Sequence, residues 1–347
     1  MKRAETSRPI GGFLGLELPN VDGGLRKLWC VHDNRLAFAN ASSALANLIE
    51  AVQGGAIWFP AYICPEFTRA VPADRLRYYP LEADLSPKVD VLQEAVRPGD
   101  LLVAVDFFGL PPGENFLEYT SSHPDILFVE DCAQAIDTGL SPWGDWRLFS
   151  PRKLVGVPDG GLLVARSTKA AAMNLSGSIR YDLAAVELAK PQLARFEDED
   201  ESHNETWHVL NQAKEKLQSI SNRRIGRLAW AILGLLDADA IAQKRRRNFK
   251  ILASRLAAWA FLRESDPQFV PFGYPVRVPP ERRAQVQDYL YRRQVFPAVH
   301  WANLPSPAGK FPDEHALAST LLTLPCDQRY GAAEMEQLAT FFLEAVD

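Results

Sequence analysis

The chain has 347 residues, of which 47% are apolar and 23% are charged. This composition is typical of a globular protein, and the length allows two domains. The formal net charge is −5 at pH 7, which disfavours a nucleic-acid-binding protein that relies on an overall positive field. We therefore expect the partner of the chain to be a small molecule or another protein.

The spacing of the cysteines and the length of the apolar runs indicate the cellular compartment of the protein. The longest apolar run, 228–236, is shorter than the ~20 residues of a membrane helix, and the N-terminus lacks the apolar core of a signal peptide. We therefore predict a cytoplasmic protein with no membrane partner. Neither a disulfide framework nor a metal site is predicted, because the cysteines are widely spaced and form no C-x-x-C pair: Cys30, Cys64, Cys132 and Cys326.

The first half of the chain alternates helical and extended patterns. Helical spacing predicts a helix from about Ser43 and an amphipathic segment at 89–95. Short apolar runs between them favour a largely parallel sheet buried on both faces, hence an α/β fold, with a large domain over residues 1–240. The predicted strands are 57–60, 76–79, 101–108, 126–131, 147–150 and 161–166.

From about residue 167 the pattern becomes helical and polar. We interpret the acidic stretch Glu197–Glu201 as a solvated loop, and the basic run Lys244–Arg247 as the exposed face of a helix. A smaller α+β domain is predicted over residues 241–347, with strand-like segments at 268–278 and 295–301 and helical segments at 281–293 and 332–346.

Small and hydroxylated residues begin the first predicted helix. The backbone N–H groups of Ala41, Ser42 and Ser43, together with the positive end of the helix dipole, could bind a phosphate group. Ordinary N-capping by Ser42 or Ser43 is the alternative, and the segment taken alone favours the cap.

Polar side chains follow the predicted strand at 126–131, in the sequence VEDCAQA at 129–135. Glu130, Asp131 and Gln134 lie at or just after the strand end. A buried carboxylate there is costly unless it meets a cation or a strong donor. The protonated pyridine nitrogen of a bound cofactor would be such a partner, and a salt bridge to an arginine is the alternative.

A lysine lies between two predicted buried strands, in FSPRKLVGVPDGGLLVA at 149–165. The ammonium of Lys153 must there be paired, exposed or used covalently. Schiff-base chemistry needs a lysine whose pKa is lowered by its surroundings. The pair Gly160–Gly161 would let the backbone pass close to a flat ligand.

His300 and Trp301 follow a predicted strand in the C-terminal domain. They could bring an imidazole and an aromatic ring to a substrate cleft between the domains. A structural role for the pair is the alternative.

Five segments occur in the order found in one family of enzymes: ANASSAL (39–45), FPAYICPEF (59–67), VDFFGLPPG (105–113), VEDCAQA (129–135) and FSPRKLVGVPDGG (149–161). Together they resemble the DegT/DnrJ/EryC1/StrS-type sugar aminotransferases, which are pyridoxal 5′-phosphate (PLP) enzymes of fold type I. The resemblance covers residues 35–165 well and the remainder loosely. It implies a mostly parallel central sheet flanked by helices, with a smaller C-terminal domain.

The resemblance also implies an activity. An amino group would move from an amino acid, glutamate by resemblance, to a keto-sugar or a similar carbonyl acceptor. Lys153 would form the internal aldimine with PLP and later shuttle a proton, while Asp131 would pair with the pyridinium nitrogen. Gln134 would contact the side of the ring that carries the 3-oxygen. Ser150 would hold the phosphate together with Ser42, Ser43 and the loop position occupied by Ala41.

A later segment, SNRRIGRL at 221–228, resembles the family's Asn-x-Arg segment, which reaches the cofactor phosphate of the neighbouring subunit. Asn222 and Arg224 are the matching positions. This resemblance implies a homodimer with shared active sites.

The chain departs from the family pattern at several positions. The spacing from Ser150 to Lys153 is two residues shorter than usual, and Ala41 replaces a glycine. Asp106 stands where the family usually has histidine, so we include it as a candidate substrate contact. For the ring that stacks on the cofactor, strict register gives Cys64, whereas Tyr62 is the nearest aromatic residue.

Two other functions remain compatible with these residues. One is a PLP-dependent lyase or dehydratase on the same scaffold, although Lys153 favours transamination. The other is a catalytically idle relative that serves as a binding or regulatory protein, suggested by the shortened Ser150–Lys153 spacing.

Overall fold

The computed structural model of the chain describes residues 18, 23–30, 35–52, 54–173, 175, 184–198, 204–217, 219–263 and 267–347. Within these residues, a large sheet is covered by helices on both faces, and a small two-stranded sheet lies in the C-terminal part. No helix among them is both long and apolar enough to cross a membrane.

The large sheet of the described chain has seven strands: β1 (Arg35–Phe38), β2 (Ile57–Pro60), β3 (Leu76–Tyr79), β4 (Leu101–Val105), β5 (Leu127–Asp131), β6 (Trp146–Phe149) and β7 (Gly161–Ala165). Their order in the sheet is β1-β7-β6-β5-β4-β2-β3. Strands β6, β5, β4, β2 and β3 are parallel neighbours, whereas β7 runs antiparallel to both β6 and β1. This confirms the predicted, mostly parallel α/β sheet.

Helices connect and cover these strands. Those of the N-terminal part are α1 (Gly24–Trp29), α2 (Ala41–Ala51), α3 (Pro65–Thr68), α4 (Val89–Ala95), α5 (Glu114–Ser122), α6 (Pro151–Leu154) and α7 (Thr168–Ala171). Those that follow are α8 (Ala184–Glu197), α9 (Asn204–Leu217), α10 (Arg227–Leu235), α11 (Ala238–Leu256), α12 (Pro280–Tyr291), α13 (Pro312–Thr320) and α14 (Ala332–Val346). The predicted acidic loop falls partly on residues 199–201, which lie outside the described residues.

Alternation along the strands gives the large sheet two distinct faces. Asp131 and its cross-strand neighbours Val105 and Leu148 belong to the face that we call the front, where α2 packs. Glu130 and its cross-strand neighbour Arg147 belong to the opposite face, which we call the rear, where α1 and α10 pack. Two consecutive residues of β5 therefore serve different faces of the sheet.

The C-terminal part is built on strands β8 (Tyr274–Arg277) and β9 (Leu321–Leu324), which pair antiparallel and pack against α11, α12 and α14. The strand expected at 295–301 is wrong, since only an isolated bridge joins Ala298 to Thr323 there. Pro297 lacks the N–H group that a continuous ladder requires. The pattern also missed β9 and α13. The expected domain boundary at residue 240 falls in the first turn of α11, and the division into domains remains a prediction.

The expectation of an exposed basic face at Lys244–Arg247 is wrong for Arg245, which is 2% exposed. Its guanidinium donates to the carbonyl oxygens of Leu154, Pro271 and Phe272 and to Oε1 of Gln328. A buried arginine is tolerated because these acceptors satisfy its donors. Since Leu154 directly follows Lys153, Arg245 ties α11 to the turn that carries the lysine.

Candidate active site

A small cavity lies at the carboxyl ends of the parallel strands, where ligands bind in open α/β sheets. Five of the residues predicted from the sequence line it: Cys64, Asp131, Gln134, Lys153 and Trp301. Its other lining residues are Ile63, Phe67, Val105 and Ala133.

Lys153 and Asp131 both line this cavity, and their charges interact. Lys153 lies on the short helix α6, which begins directly after β6, and its N–H donates to the carbonyl oxygen of Ser150 at 3.0 Å. Burial lowers the pKa of the Lys153 amine, against the opposing attraction of the Asp131 charge. At a given pH a larger fraction of the Lys153 amine is therefore neutral than for an exposed lysine, and the neutral amine is the form that acts as a nucleophile.

Asp131 ends β5 and is 3% exposed. Burial raises the pKa of its carboxyl group to about 6, although Lys153 and the N–H group of Ala133, 2.9 Å from Oδ1, both favour the charged form. The carboxylate is thus costly on its own at neutral pH, and a further cation in the cavity would stabilise it.

Gln134 follows the same strand and is 2% exposed. Its Oε1 accepts a hydrogen bond from the N–H of Phe108 at 2.9 Å, which fixes the orientation of the amide. The amide nitrogen has no hydrogen-bond acceptor in the part of the chain that the structure describes. It can therefore donate to an acceptor bound in the cavity.

Helix α2 begins close to β7 and is capped by Asn40, whose Oδ1 accepts from the N–H of Ser43 at 2.8 Å. The expected cap by Ser42 or Ser43 is therefore wrong. The Ser43 hydroxyl accepts from the N–H of Ser221 at 3.0 Å. Ala41 and Ser42 are the first helical residues, so their N–H groups have no intrahelical acceptor and can bind an anion.

Gly160 and Gly161 serve the packing of α2 rather than the close approach of a flat ligand. A Cβ atom at Gly161 would lie 2.1 Å from the carbonyl carbon of Asn40. Gly160 has φ +134°, and its N–H donates to the carbonyl oxygen of Ala39 at 2.8 Å. The pair therefore lets the start of α2 rest on the start of β7.

The two candidates for a ring-stacking residue occupy different places. Tyr62 is fully buried beside the cavity, with its ring centroid 5.6 Å from that of Phe107 and 5.4 Å from that of Trp301. Cys64 lines the cavity, as does Phe67, whose ring centroid is 5.7 Å from Nζ of Lys153. Sequence reasoning missed Phe67, although it lies only three residues after Cys64, on α3.

Asp106 is not brought to the cavity. The strand β4 ends at Val105, which lines the cavity, and alternation turns the next side chain to the rear of the sheet. There Asp106 is fully buried beside the thiol of Cys132, and burial and the neighbouring Glu130 raise the pKa of its carboxyl group. A contact between Asp106 and a substrate in the cavity is therefore not supported by its position.

Asp106, Glu130 and Cys132 are close enough to be considered as metal ligands, since their ligand atoms lie within 4.8 Å of one another. However, both oxygens of Glu130 already accept hydrogen bonds, from Nε of Arg147 and from the N–H groups of Trp143 and Gly144. We therefore interpret this cluster as a buried polar network.

Of the predicted pair in the C-terminal part, Trp301 lines the cavity, whereas His300 does not. Nδ1 of His300 is 2.9 Å from Oγ1 of Thr323, and its ring packs against Phe108 and Phe272. Burial, and then the charge of Lys153, lower the pKa of His300 to about 4. The imidazole is therefore neutral at pH 7.

Asn222 and Arg224 are exposed in this chain and do not line the cavity. Their segment continues the edge of the large sheet. The N–H of Ala39 donates to the carbonyl oxygen of Arg223, and the N–H of Ile225 donates to the carbonyl oxygen of Ala37. Both side chains are thus accessible to a second molecule.

Comparison with solved structures defines the class: the chain has the fold of the DegT/DnrJ/EryC1/StrS aminotransferases, which confirms the predicted fold type I. It is similar to the aminotransferase TlmJ from Streptoalloteichus hindustanus, with 16% identity over 90% of this chain and 85% of that one and a TM-score of 0.63. A DegT DnrJ EryC1 StrS aminotransferase from Brucella abortus gives 16% identity, coverages of 92% and 88%, and a TM-score of 0.63. NtdA from Bacillus subtilis, solved with the cofactor PMP, is 14% identical over 90% of this chain and 73% of that one, with a TM-score of 0.61. No protein-family model and no curated protein matches the sequence.

Proposed function

We propose that the chain is a PLP-dependent aminotransferase of the DegT/DnrJ/EryC1/StrS family. The observation that carries the proposal is the pair of Lys153 and Asp131 in one cavity at the carboxyl ends of β5 and β6. A lysine with a lowered pKa opposite a buried carboxylate is the combination that Schiff-base chemistry on a pyridine ring requires. The fold and the order of the five segments support the same assignment.

The polar groups at the cavity match the cofactor in chemistry. Asp131 offers a carboxylate to the pyridinium nitrogen, and the free amide nitrogen of Gln134 offers a donor to the 3-oxygen. For the phosphate, Ala41 and Ser42 at the start of α2, outside the cavity lining, offer backbone N–H groups, and the buried Ser150, directly before α6, offers a hydroxyl. These residues would hold PLP on the front face of the sheet.

The cavity itself has a volume of only about 10 Å³, which is room for about one water molecule. A pyridine ring therefore enters only after side chains on the wall have moved. Trp301 is the largest of them and is partly exposed, on a loop of the C-terminal part. We propose that this indole swings away when the cofactor binds.

When bound, PLP supplies an aldehyde for reaction with amines and a ring that accepts electrons from the substrate's α-carbon. Three residues of the chain would then have separate roles. Lys153 holds the cofactor covalently and, once released, moves a proton from the α-carbon. Asp131 keeps the ring nitrogen protonated, and the neutral His300 adds no positive charge against Lys153.

The donor and the acceptor are proposed from the resemblance, as an amino acid such as glutamate and a keto-sugar or similar carbonyl compound. A half-reaction tests the proposal without the acceptor. L-Glutamate added to PLP-loaded protein is expected to remove the visible absorption band and release 2-oxoglutarate in stoichiometric amount. A band that persists with every amino acid tried would contradict transamination, whereas release of ammonia would indicate the lyase alternative.

The small cavity favours a second candidate function, that of an idle relative which keeps the fold but does not bind PLP. In that case wild-type protein incubated with PLP would show no absorption band beyond that of the free cofactor. We also propose a cytoplasmic location, since none of the four cysteines, all of them among the described residues, forms a disulfide bond.

A homodimer with shared sites predicts complementation between two inactive variants. Lys153→Ala removes the nucleophile from a chain's own site, and Arg224→Ala removes a phosphate contact that the chain gives to its partner. Mixing the two under subunit exchange is expected to restore about a quarter of wild-type activity, because half of the dimers are hybrids with one intact site. Transaminase assays before and after mixing measure this.

Each variant mixed with itself is the control for that experiment. If the mixture stays inactive although Arg224→Ala alone has lost activity, Arg224 does not act across a subunit interface.

Replacing Trp301 with alanine is expected to speed PLP uptake by about 10-fold, because the open form of the cavity would no longer be a minor population. Stopped-flow absorbance after mixing with PLP measures the rate. Phe296→Ala, which removes an exposed ring from the same part of the chain, is the matched control. Equal uptake rates in all three proteins would show that the indole does not gate the cavity.

A further inference from the structure

A second and larger cavity opens on the rear of the sheet and plays no part in the proposed reaction. Its volume is about 230 Å³, against about 30 Å³ for a water molecule in the liquid. It therefore has room for a molecule of roughly amino-acid size. Trp29 and Val164 contribute to its apolar wall, and Leu140, which is 50% exposed, lies at its rim.

One guanidinium is built into this cavity. Arg147 is 9% exposed, its Nε donates to Oε1 of Glu130 at 3.0 Å, and its Cζ lies 4.7 Å from the ring centroid of Phe149. The Phe149 ring stacks in turn on Trp29, with centroids 4.8 Å apart. These contacts, together with a hydrogen bond between the guanidinium and the thiol of Cys132, fix Arg147, while its two terminal nitrogens have no oxygen acceptor in the part of the chain that the structure describes.

Two more charges line the same cavity. Arg166 lies two residues beyond Val164, the cross-strand neighbour of Arg147, so alternation places it on the same face of the sheet. No described residue accepts a hydrogen bond from its side chain. Asp137 lies in the loop after β5. Its Oδ1 accepts a hydrogen bond from the N–H of Gly139, and its Oδ2 accepts none from the described residues.

The charges sum to a neutral but polarised site. Among the described residues Glu130 already balances Arg147, so Arg166 and Asp137 remain there as one open cation and one open anion. A ligand with a single charge would leave one of them unmatched, and a phosphate or a dicarboxylate would be repelled by Asp137. A zwitterion with an apolar group satisfies both charges and the wall.

We propose that this rear cavity binds a free α-amino acid with an apolar side chain. The carboxylate lies against Arg147 and Arg166, the ammonium lies against Asp137, and the side chain packs on Trp29 and Val164. The site is separate from the candidate active site, because Glu130 and Asp131 send their side chains to opposite faces of β5.

Titration calorimetry with L-leucine tests the proposal. Binding at millimolar concentration is expected for the wild type, and affinity is expected to fall by about 10-fold or more in Arg166→Gln and in Asp137→Asn, since each loses a charged hydrogen-bond partner. Arg166 is exposed and Asp137 is partly exposed, so the fold is expected to persist in both variants, which thermal unfolding checks. Arg97→Gln, at an exposed arginine before β4, is the matched control.

Two further comparisons separate this site from the active site and identify the groups recognised. Lys153→Ala is expected to keep the affinity for L-leucine, and this result does not depend on PLP chemistry. 4-Methylpentanoate and 3-methylbutylamine, which lack the ammonium and the carboxylate respectively, are expected to bind at least about 10-fold more weakly. Absence of binding, loss of binding only in Lys153→Ala, or equal affinities for L-leucine and 4-methylpentanoate would each overturn the proposal.

Discussion

Lys153→Ala is expected to lower transamination by at least about 10³-fold, because both the covalent link to the cofactor and the proton-transferring amine are lost. The fold is expected to persist, since Lys153 makes no ion pair within the described residues and its removal relieves the burial of a charge. Steady-state rates with L-glutamate as donor measure the loss. The visible absorption band of PLP-loaded protein should disappear in the same variant.

Lys310→Ala is the matched control, because Lys310 is an exposed lysine of the C-terminal part. It should retain wild-type rates. Activity that survives in Lys153→Ala would mean that another lysine carries the chemistry.

Asp131→Asn is expected to lower the rate by about 10²-fold, the scale for loss of one preorganised electrostatic group. Asparagine has nearly the same volume and can still accept from the N–H of Ala133, so the fold should remain. The ring nitrogen of the cofactor, however, loses the anion that keeps it protonated. The variant should therefore bind PLP but turn over slowly, as measured by the absorption band and by single-turnover rates.

The pH dependence distinguishes this role from a structural one. Because the pKa of Asp131 is raised to about 6, its carboxylate is lost as the pH falls through 6. PLP affinity in the wild type should weaken over that range, and the step should be missing in Asp131→Asn. Asp74→Asn, at an exposed aspartate, should keep the wild-type profile, and an identical profile in all three proteins would exclude Asp131 as the cofactor's counter-ion.

Part of this site is predictable from the sequence, because Asp131, Gln134 and Lys153 each follow a short apolar run that ends in polar residues. Parallel strands bring such ends to one edge of the sheet, so proximity follows from topology. The face that a residue serves is harder to predict. Asp106 was included because it matches a family position that usually holds histidine, but β4 ends at Val105 and the Asp106 side chain turns to the rear of the sheet.

Other features depend on contacts distant in sequence. Phe67 lines the cavity beside the predicted Cys64, and its ring lies 5.7 Å from Nζ of Lys153 although the two residues are far apart in the sequence. The burial of Arg245 comes from carbonyl groups of three separate segments, which a charge pattern does not reveal. The rear cavity likewise combines Arg147 of β6 with Asp137 from the loop after β5 and Arg166, which follows the end of β7.

The most direct test of the account is to identify the lysine that binds PLP. Protein incubated with PLP is reduced with borohydride and digested, and the labelled peptide is located by mass spectrometry. We predict a single PLP adduct, on Lys153. An adduct on a different lysine, or none, would contradict the assignment of this cavity as the active site.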